Sequence, residues 1–276
     1  MPPLAIVLAL VSALIHASWN ALLKRGRDRL ADAFLVAVGC AGVGLLLIVF
    51  VGAPNAAAWP YLIASLVVHA LYWTCVIKGY DAGDLSHVYT LSRGLAPAIV
   101  AVGAAFAAHE IPALGDGIGI ALVCAGVLAV GVSAHAPLRA SLWGVLTALT
   151  IAAYSLIDAL GARAAQNALV YIAWVTLFTG LPLGLFALAK RGLRIFADMR
   201  RDLFRGLFAG VVSSAGFGLV LYAQTFAPIA QVTALRETSI LFAALIAWLV
   251  LKERMDLRRW IGAGVAAAGA VLIGFI

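Results

Sequence analysis

Residues 93–131 read RGLAPAIVAVGAAFAAHEIPALGDGIGIALVCAGVLAVG, and residues 236–274 read RETSILFAALIAWLVLKERMDLRRWIGAGVAAAGAVLIG. Laid over one another at an offset of 143, without a gap, they place Arg93 on Arg236, Glu110 on Glu253, Gly119 on Gly262, Gly126 on Gly269 and Gly131 on Gly274. Glycine coincidences are common in so apolar a chain, but two charged coincidences are not. Each stretch holds a long apolar run, a short acidic turn and a second, glycine-rich apolar run. The chain is therefore built twice from one unit. More loosely, Ala13-Leu14 through Trp19 overlays Ala148-Leu149 through Tyr154, which carries the repeat outward toward the start of each half.

The 276 residues are 64% hydrophobic and 11% charged, against about 45–50% and about 25% in soluble domains. Mean hydropathy is +1.07. These values exclude a soluble enzyme, a secreted disulfide scaffold and a disordered regulator. A bilayer span takes about 20 apolar residues, and ten such runs can be read: 4–23, 32–52, 60–79, 85–107, 115–134, 141–161, 168–189, 203–223, 228–251 and 259–276. The first lacks the basic leading region of a signal peptide and reads as a span. The expected fold is all-α, a polytopic membrane protein of ten transmembrane helices, with repeats over 1–134 and 141–276.

The net charge of +7 sits in short loops, where it orients spans rather than binding nucleic acid. Of the 19 Lys and Arg, only Arg163 falls in a loop on one side, and Arg93 and Arg236 lie inside spans. The rest, including Lys24, Arg25, Arg191, Arg205, Arg254 and Arg258, gather on the other side. The positive-inside rule then puts both termini outside the cytoplasm of an inner (plasma) membrane. Cys40, Cys75 and Cys124 lie in apolar runs without a CxxC or a Cys/His cluster, so neither a disulfide nor a metal is expected.

Five spans per repeat is an odd number, so the two units lie inverted in the bilayer, which points to a transporter with a midplane site between the halves. The pattern resembles the EamA-type drug/metabolite transporters over nearly the whole chain. His109-Glu110 through Gly119 and Lys252-Glu253 through Gly262 are similar to that family's acidic turn and Gly-rich closing helix. Ala17-Ser18-Trp19-Asn20 is similar to its first-helix motif, with Asn20 where Gly is usual. The resemblance implies a central cavity lined mainly by spans 1, 3, 4, 6, 8 and 9. It implies carriage of a small molecule, with members serving amino acids, sugar phosphates, nucleotide sugars, cations and drugs.

Polar side chains recur at helical spacing in the same spans. They are Ser12, His16, Trp19 and Asn20; Ser65, His69, Tyr72 and Trp73; Ser86, Tyr89, Thr90 and Arg93; Thr147, Thr150, Tyr154 and Asp158; and Thr233, Arg236 and Glu237. Arg93 and Arg236 enter from opposite faces and both approach the midplane, where a charged side chain normally faces a cavity or a partner. One reading is a paired guanidinium clamp for a carboxylate or phosphoryl group. The other has the two arginines holding Glu237 and Asp158 in a buried ion-pair network.

Substrate contact is expected from Arg93, Arg236, Glu237, Trp19, Asn20, Tyr72, Trp73, Tyr89 and Asp158. A coupling proton falls to His16 or Glu237, and Pro97 offers a hinge in span 4. Glu110 and Glu253 read as helix-end caps. The GxxxG spacings at Gly115–Gly119, Gly180–Gly184 and Gly206–Gly210 read as close helix packing.

The function that follows is a secondary transporter of a small organic anion or zwitterion, such as an amino acid, working by alternating access. A cationic drug or quaternary amine exporter, or a lipid-precursor flippase, is the alternative on the same fold. No nucleotide motif appears, so the drive is an ion gradient, a counter-substrate or facilitated flow, and no cofactor is expected. An intramembrane enzyme would want a nucleophile–base pair or HExxH ligands, and neither is present. The partners are the substrate, the lipid bilayer and a coupling proton or counter-substrate, in a monomer or a homodimer.

Overall fold

The computed structural model describes residues 1–23, 28–133, 135–249, 252 and 256–275. Lys24, Arg25, Arg27, Glu253 and Arg254 lie outside these residues. The α-helices are α1 (Pro3–Leu23), α2 (Arg29–Val51), α3 (Trp59–Ala82), α4 (Leu85–Ala107), α5 (Leu114–Gly131), α6 (Leu138–Ala164), α7 (Ala168–Arg191), α8 (Ile195–Asp198), α9 (Leu203–Gln224), α10 (Ile229–Glu237), α11 (Ser239–Leu249) and α12 (Leu257–Phe275). Among the described residues ten segments are long and apolar enough to cross a bilayer, and α8 is a short turn of helix in the connection before α9. Large apolar side chains such as Leu46, Phe50, Phe106 and Phe204 stand out from the bundle, as they must where the solvent is hydrocarbon.

Capping residues set several starts. Asp28 accepts from the amides of Leu30 and Ala31 at 3.0 and 3.2 Å to open α2, Asp84 accepts from those of Ser86 and His87 at 2.7 and 3.2 Å to open α4, and Asn167 accepts from that of Leu169 at 3.0 Å to open α7.

The ninth span departs from the expected single helix over 228–251. It breaks at Thr238, whose amide and hydroxyl both donate to the Leu235 carbonyl, at 3.2 and 2.6 Å. Both bonds reach back three residues, one fewer than the α-helical pattern, and compete with it. Helix α4 runs unbroken through Pro97. The proline's missing amide therefore does not divide its helix, and the interruption falls in the other repeat.

Glycine contacts show the two-fold relation between the halves. A Cβ at Gly126 would lie 2.6 Å from the Gly262 carbonyl oxygen, and one at Gly269 would lie 2.6 Å from that of Gly119. The 143-residue offset maps Gly119 to Gly262 and Gly126 to Gly269, so these two contacts are images of one another. The same exchange joins α2 to α7, the second helix of each unit, where Gly44 meets the Ala173 carbonyl and Gly180 meets that of Ala37. Of the GxxxG pairs, Gly206 and Gly210 both press on α2, whereas Gly184 meets nothing within 4 Å.

Polar contacts close the two ends. At the basic end Arg191 pairs with Asp28 and Asp198, and Arg205 pairs with Asp32 at 2.8 Å and Asp202 at 3.1 Å. At the other end Glu110 of the first repeat meets Arg163 of the second at 2.7 Å and accepts from the Ile229 amide at 2.7 Å. Arg163 also donates to the carbonyls of Gln224 and Ala227, at 2.9 and 3.0 Å. Glu110 thus caps α10, a helix of the other repeat.

Candidate functional site

A cavity of about 360 Å³ lies in the half of the bundle nearer the basic loops. Its position follows from which turns reach it. Helix α2 contributes residues 32–40, close to its start, and α7 and α9 contribute 176–183 and 213–217 from their middle turns. Arg236, eight residues into a helix that enters from the opposite face, forms the deepest charged wall. The expected lining by α1, α3, α4, α6, α9 and α10 is present, and α2 and α7 join it. The Thr176/Thr179 pair at helical spacing was the signal for α7. Helix α2 reaches the cavity through Asp32 and Cys40, too little polarity to mark a stripe.

The two arginines behave differently. The Arg93 side chain is 8% exposed, and its Nε lies 2.9 Å from Oε2 of Glu237, which is 2% exposed. Its Nη2 lies 3.4 Å from Nε2 of His16, which is also 3.3 Å from the Tyr89 hydroxyl. A guanidinium has only donors, so this nitrogen of His16 accepts. Arg236 is half-buried, and among the described residues it makes no hydrogen bond or ion pair; its Nε is buried without a partner. The symmetric clamp is thus divided into one arginine already neutralised and one facing the cavity free.

The acids also separate. Glu237 is not among the cavity-lining residues; it stands behind Arg93, its Oε1 without a hydrogen bond. Asp158 is 1% exposed, also lies off the cavity, and accepts from the Tyr171 hydroxyl at 3.1 Å rather than from an arginine. That departs from the four-membered ion-pair network, of which only the Arg93–Glu237 half forms.

An aromatic wall faces the arginines. His69 stacks on Tyr154 with ring centroids 4.4 Å apart, and Tyr72 packs edge-on against Tyr154 at 5.6 Å and Trp73 at 5.1 Å. His69 and Tyr154 were visible in the polar stripes, but the aromatic expectation named only their neighbours. On α1, Trp19 packs edge-on against His16 at 5.3 Å, and Asn20 donates to the His16 carbonyl at 2.7 Å. Trp19, Asn20, Tyr72, Trp73, Tyr89, Arg93, Arg236 and His16 all line the cavity; Pro97 is buried in α4 away from it. Among the described residues no group of His, Cys, Asp and Glu could hold a metal ion.

No curated protein matches the chain. A solved structure, titled only as the crystal structure of a protein, shares the fold at a TM-score of 0.76 and 13% identity, covering 98% of this chain and 96% of the other. The EamA-like transporter family matches residues 3–132 and again 138–275. With both repeats matched from end to end, the chain belongs to the EamA-like transporter family, a multi-pass membrane protein of the drug/metabolite transporter superfamily.

Proposed function

We propose that this protein is a secondary transporter moving a small organic anion or zwitterion, an amino acid or a related compound, across the inner membrane by alternating access. The observation that carries the reading is Arg236, a guanidinium that makes no hydrogen bond or ion pair among the described residues, in a cavity whose other charges cancel. Arg93 is offset by Glu237 and, at the mouth, Asp32 by Arg205. The cavity is left with one positive charge, and a carboxylate or phosphoryl oxygen supplies the missing partner in bidentate geometry. Its volume of about 360 Å³ falls at the small end of ligand sites, about 300–1,000 Å³.

The ends of the bundle support the alternating-access part. The cavity lies toward the basic loops, which the positive-inside rule assigns to the cytoplasm, with both termini on the other side. The far end is tied across the repeats by Glu110, Arg163 and the α10 start. This is a cytoplasm-facing arrangement, and release to the other side requires that tie to part.

The test is a thermal-shift panel of amino acids, aminophosphonates, sugar phosphates, dicarboxylates and quaternary amines on the purified protein. A ligand bound only by the folded state stabilises it by about 2.7 kcal/mol at 100 times its dissociation constant. Stabilisation by an anion or zwitterion, lost in Arg236→Gln, is the expected result. Stabilisation by quaternary amines alone, retained in Arg236→Gln and lost in Glu237→Gln, overturns it in favour of a cation exporter.

A further inference from the structure

Asp158 has no use in the substrate reading above, yet its surroundings are specific. It sits in α6 with 1% of its surface exposed and no cation beside it. Oδ1 accepts from the Tyr171 hydroxyl of α7 at 3.1 Å. The Ser65 hydroxyl of α3 lies near the carboxyl group, whose Oδ2 has no hydrogen bond and is open to receive one. Ser65 continues toward the cavity. Its hydroxyl oxygen is 3.2 Å from Nδ1 of His69, and its carbonyl oxygen is 2.9 Å from the same nitrogen. His69 lines the cavity. A row of exchangeable groups therefore runs from the cavity wall to a carboxyl group that water does not reach.

The other ionisable groups on the packed helices are already engaged or face elsewhere. On α4 and α10, Arg93 and Glu237 pair with each other, and Arg236 faces the cavity and His69. Farther along α6, Arg163 is held by Glu110. At the start of α4, His87 bonds Ser141 at 3.0 Å. Tyr61 lies behind Tyr171, and Tyr154 and Tyr72 lie around His69; α9 presents Arg205 at its far end, on Asp32. Nothing in this shell supplies Asp158 with a positive charge.

We propose that Asp158 is a proton-binding site, filled from the substrate cavity through His69 and Ser65, and that it carries the coupling proton. A carboxylate buried without a cation is costly, and a bound proton removes that cost. The Tyr171 hydroxyl donates toward the carboxyl group, an arrangement that suits a proton acceptor and opposes a metal cation. The transfer balances as a relay. A proton joins Nε2 of His69 from the cavity, and the proton on Nδ1 passes to the Ser65 oxygen. The Ser65 hydroxyl proton then passes to Oδ2 of Asp158. One proton enters, one O–H bond forms on the acid, and His69 ends neutral with its hydrogen on Nε2. The coupling role rests on the transport reading; the proton site itself does not.

The experiment is infrared difference spectroscopy of the full chain in lipid between alkaline and acid pH, with hydrogen–deuterium exchange to mark carboxyl bands. The expected result is a protonated-carboxyl C=O band that appears on acidification. It should vanish in Asp158→Asn, return at a shifted position in Asp158→Glu, and persist in Glu237→Gln. Ser65→Ala should slow its appearance after a pH jump. A titrating band unchanged in Asp158→Asn, or lost in Glu237→Gln, overturns the assignment. So does the absence of any titrating band. Should Asp158→Asn not fold, the shift in Asp158→Glu decides in its place. The spectrum needs no transported ligand, so failure here and failure of the thermal-shift panel are separate results. Coupling is read by repeating the panel across pH. Anion stabilisation that changes with pH in the native chain and becomes flat in Asp158→Asn supports it, and an unchanged pH response overturns it.

Discussion

Helix α4 and the α10–α11 pair occupy the same place in their repeats, carry an arginine at the same position, and use it in opposite ways. Arg93 is buried against Glu237, and Arg236 faces the cavity free. The next residue explains the difference. At the offset of 143, Glu237 corresponds to Gly94. A Cβ at Gly94 would stand 2.6 Å from Cδ2 of Leu128, so α5 presses on α4 where the second repeat has room for a carboxylate. The single acid that results forms its ion pair with the arginine of the other repeat. Breaking the chemical symmetry of an inverted pair thus leaves the site with one uncompensated charge, which gives the cavity its preference.

The most damaging way to undo this asymmetry is to remove the shared acid. Glu237→Ala leaves the buried Arg93 without its counter-charge, and breaking one partner of a buried pair costs about 3–5 kcal/mol. Unfolding of the detergent-solubilised protein should show a loss of that order. Arg93→Met in the same background should recover much of it, since an apolar side chain of similar length replaces the stranded charge. A small single-variant loss would mean that Arg93 finds another partner, and the two arginines would then be equivalent after all.

Arg236→Gln probes the other member. Because this arginine has no hydrogen bond or ion pair among the described residues, the empty protein should keep its stability to within about 0.5 kcal/mol. What it should lose is the response to ligand, about 2.7 kcal/mol at 100 times the dissociation constant. Equal losses of intrinsic stability in Arg236→Gln and Arg93→Gln would contradict the division of roles.

Gly94→Ala tests the steric half of the comparison. The new methyl group meets Leu128, and overpacking of this kind costs about 1–3 kcal/mol. Gly42→Ala is the control. Nothing lies within 4 Å of its Cβ position in α2, and alanine is favoured over glycine in a helix by about 1 kcal/mol. The two substitutions should therefore shift the melting temperature in opposite directions. The same sign at both sites would remove the reason given for glycine beside Arg93.

Much of this was legible in the sequence because bilayer physics is written in long runs. Apart from the ninth span, the helix ends fall within three residues of the expected limits. The matched arginines and glycines revealed the repeat directly. Which acid faces which arginine was not legible, because that depends on a crossing between repeats and not on spacing along one helix. Asp158 illustrates this. It shares a face with Tyr154 in α6, yet only the placement of α3 and α7 shows that it looks at Ser65 and Tyr171 rather than into the cavity. The break at Thr238 was hidden for another reason. A hydroxyl that bonds its own backbone has the same sequence signature as one that lines a site.

The smallest expected effect lies at the start of the second helix of each repeat, where Asp28 caps α2 and Asn167 caps α7. The two side chains do the same structural work, but only the carboxyl titrates. The Arg191 hydrogen bond, with help from the capped amides, holds the Asp28 carboxyl below its ordinary value. A depressed native value means that the contribution is complete above the unfolded value of about 3.9 and is lost as pH falls through the native one. Asp28 is about a third exposed, at 32%, so solvent screening keeps the contribution of the pair small. Asp28→Asn keeps the cap and removes the charge. It should lower stability slightly at neutral pH and flatten the acid side of the profile, bringing the first repeat to the condition the second already has. Asn167→Asp should not reproduce that acid dependence, since its cap makes no ion pair; if it did, the cap itself and not Arg191 would be the source of the shift.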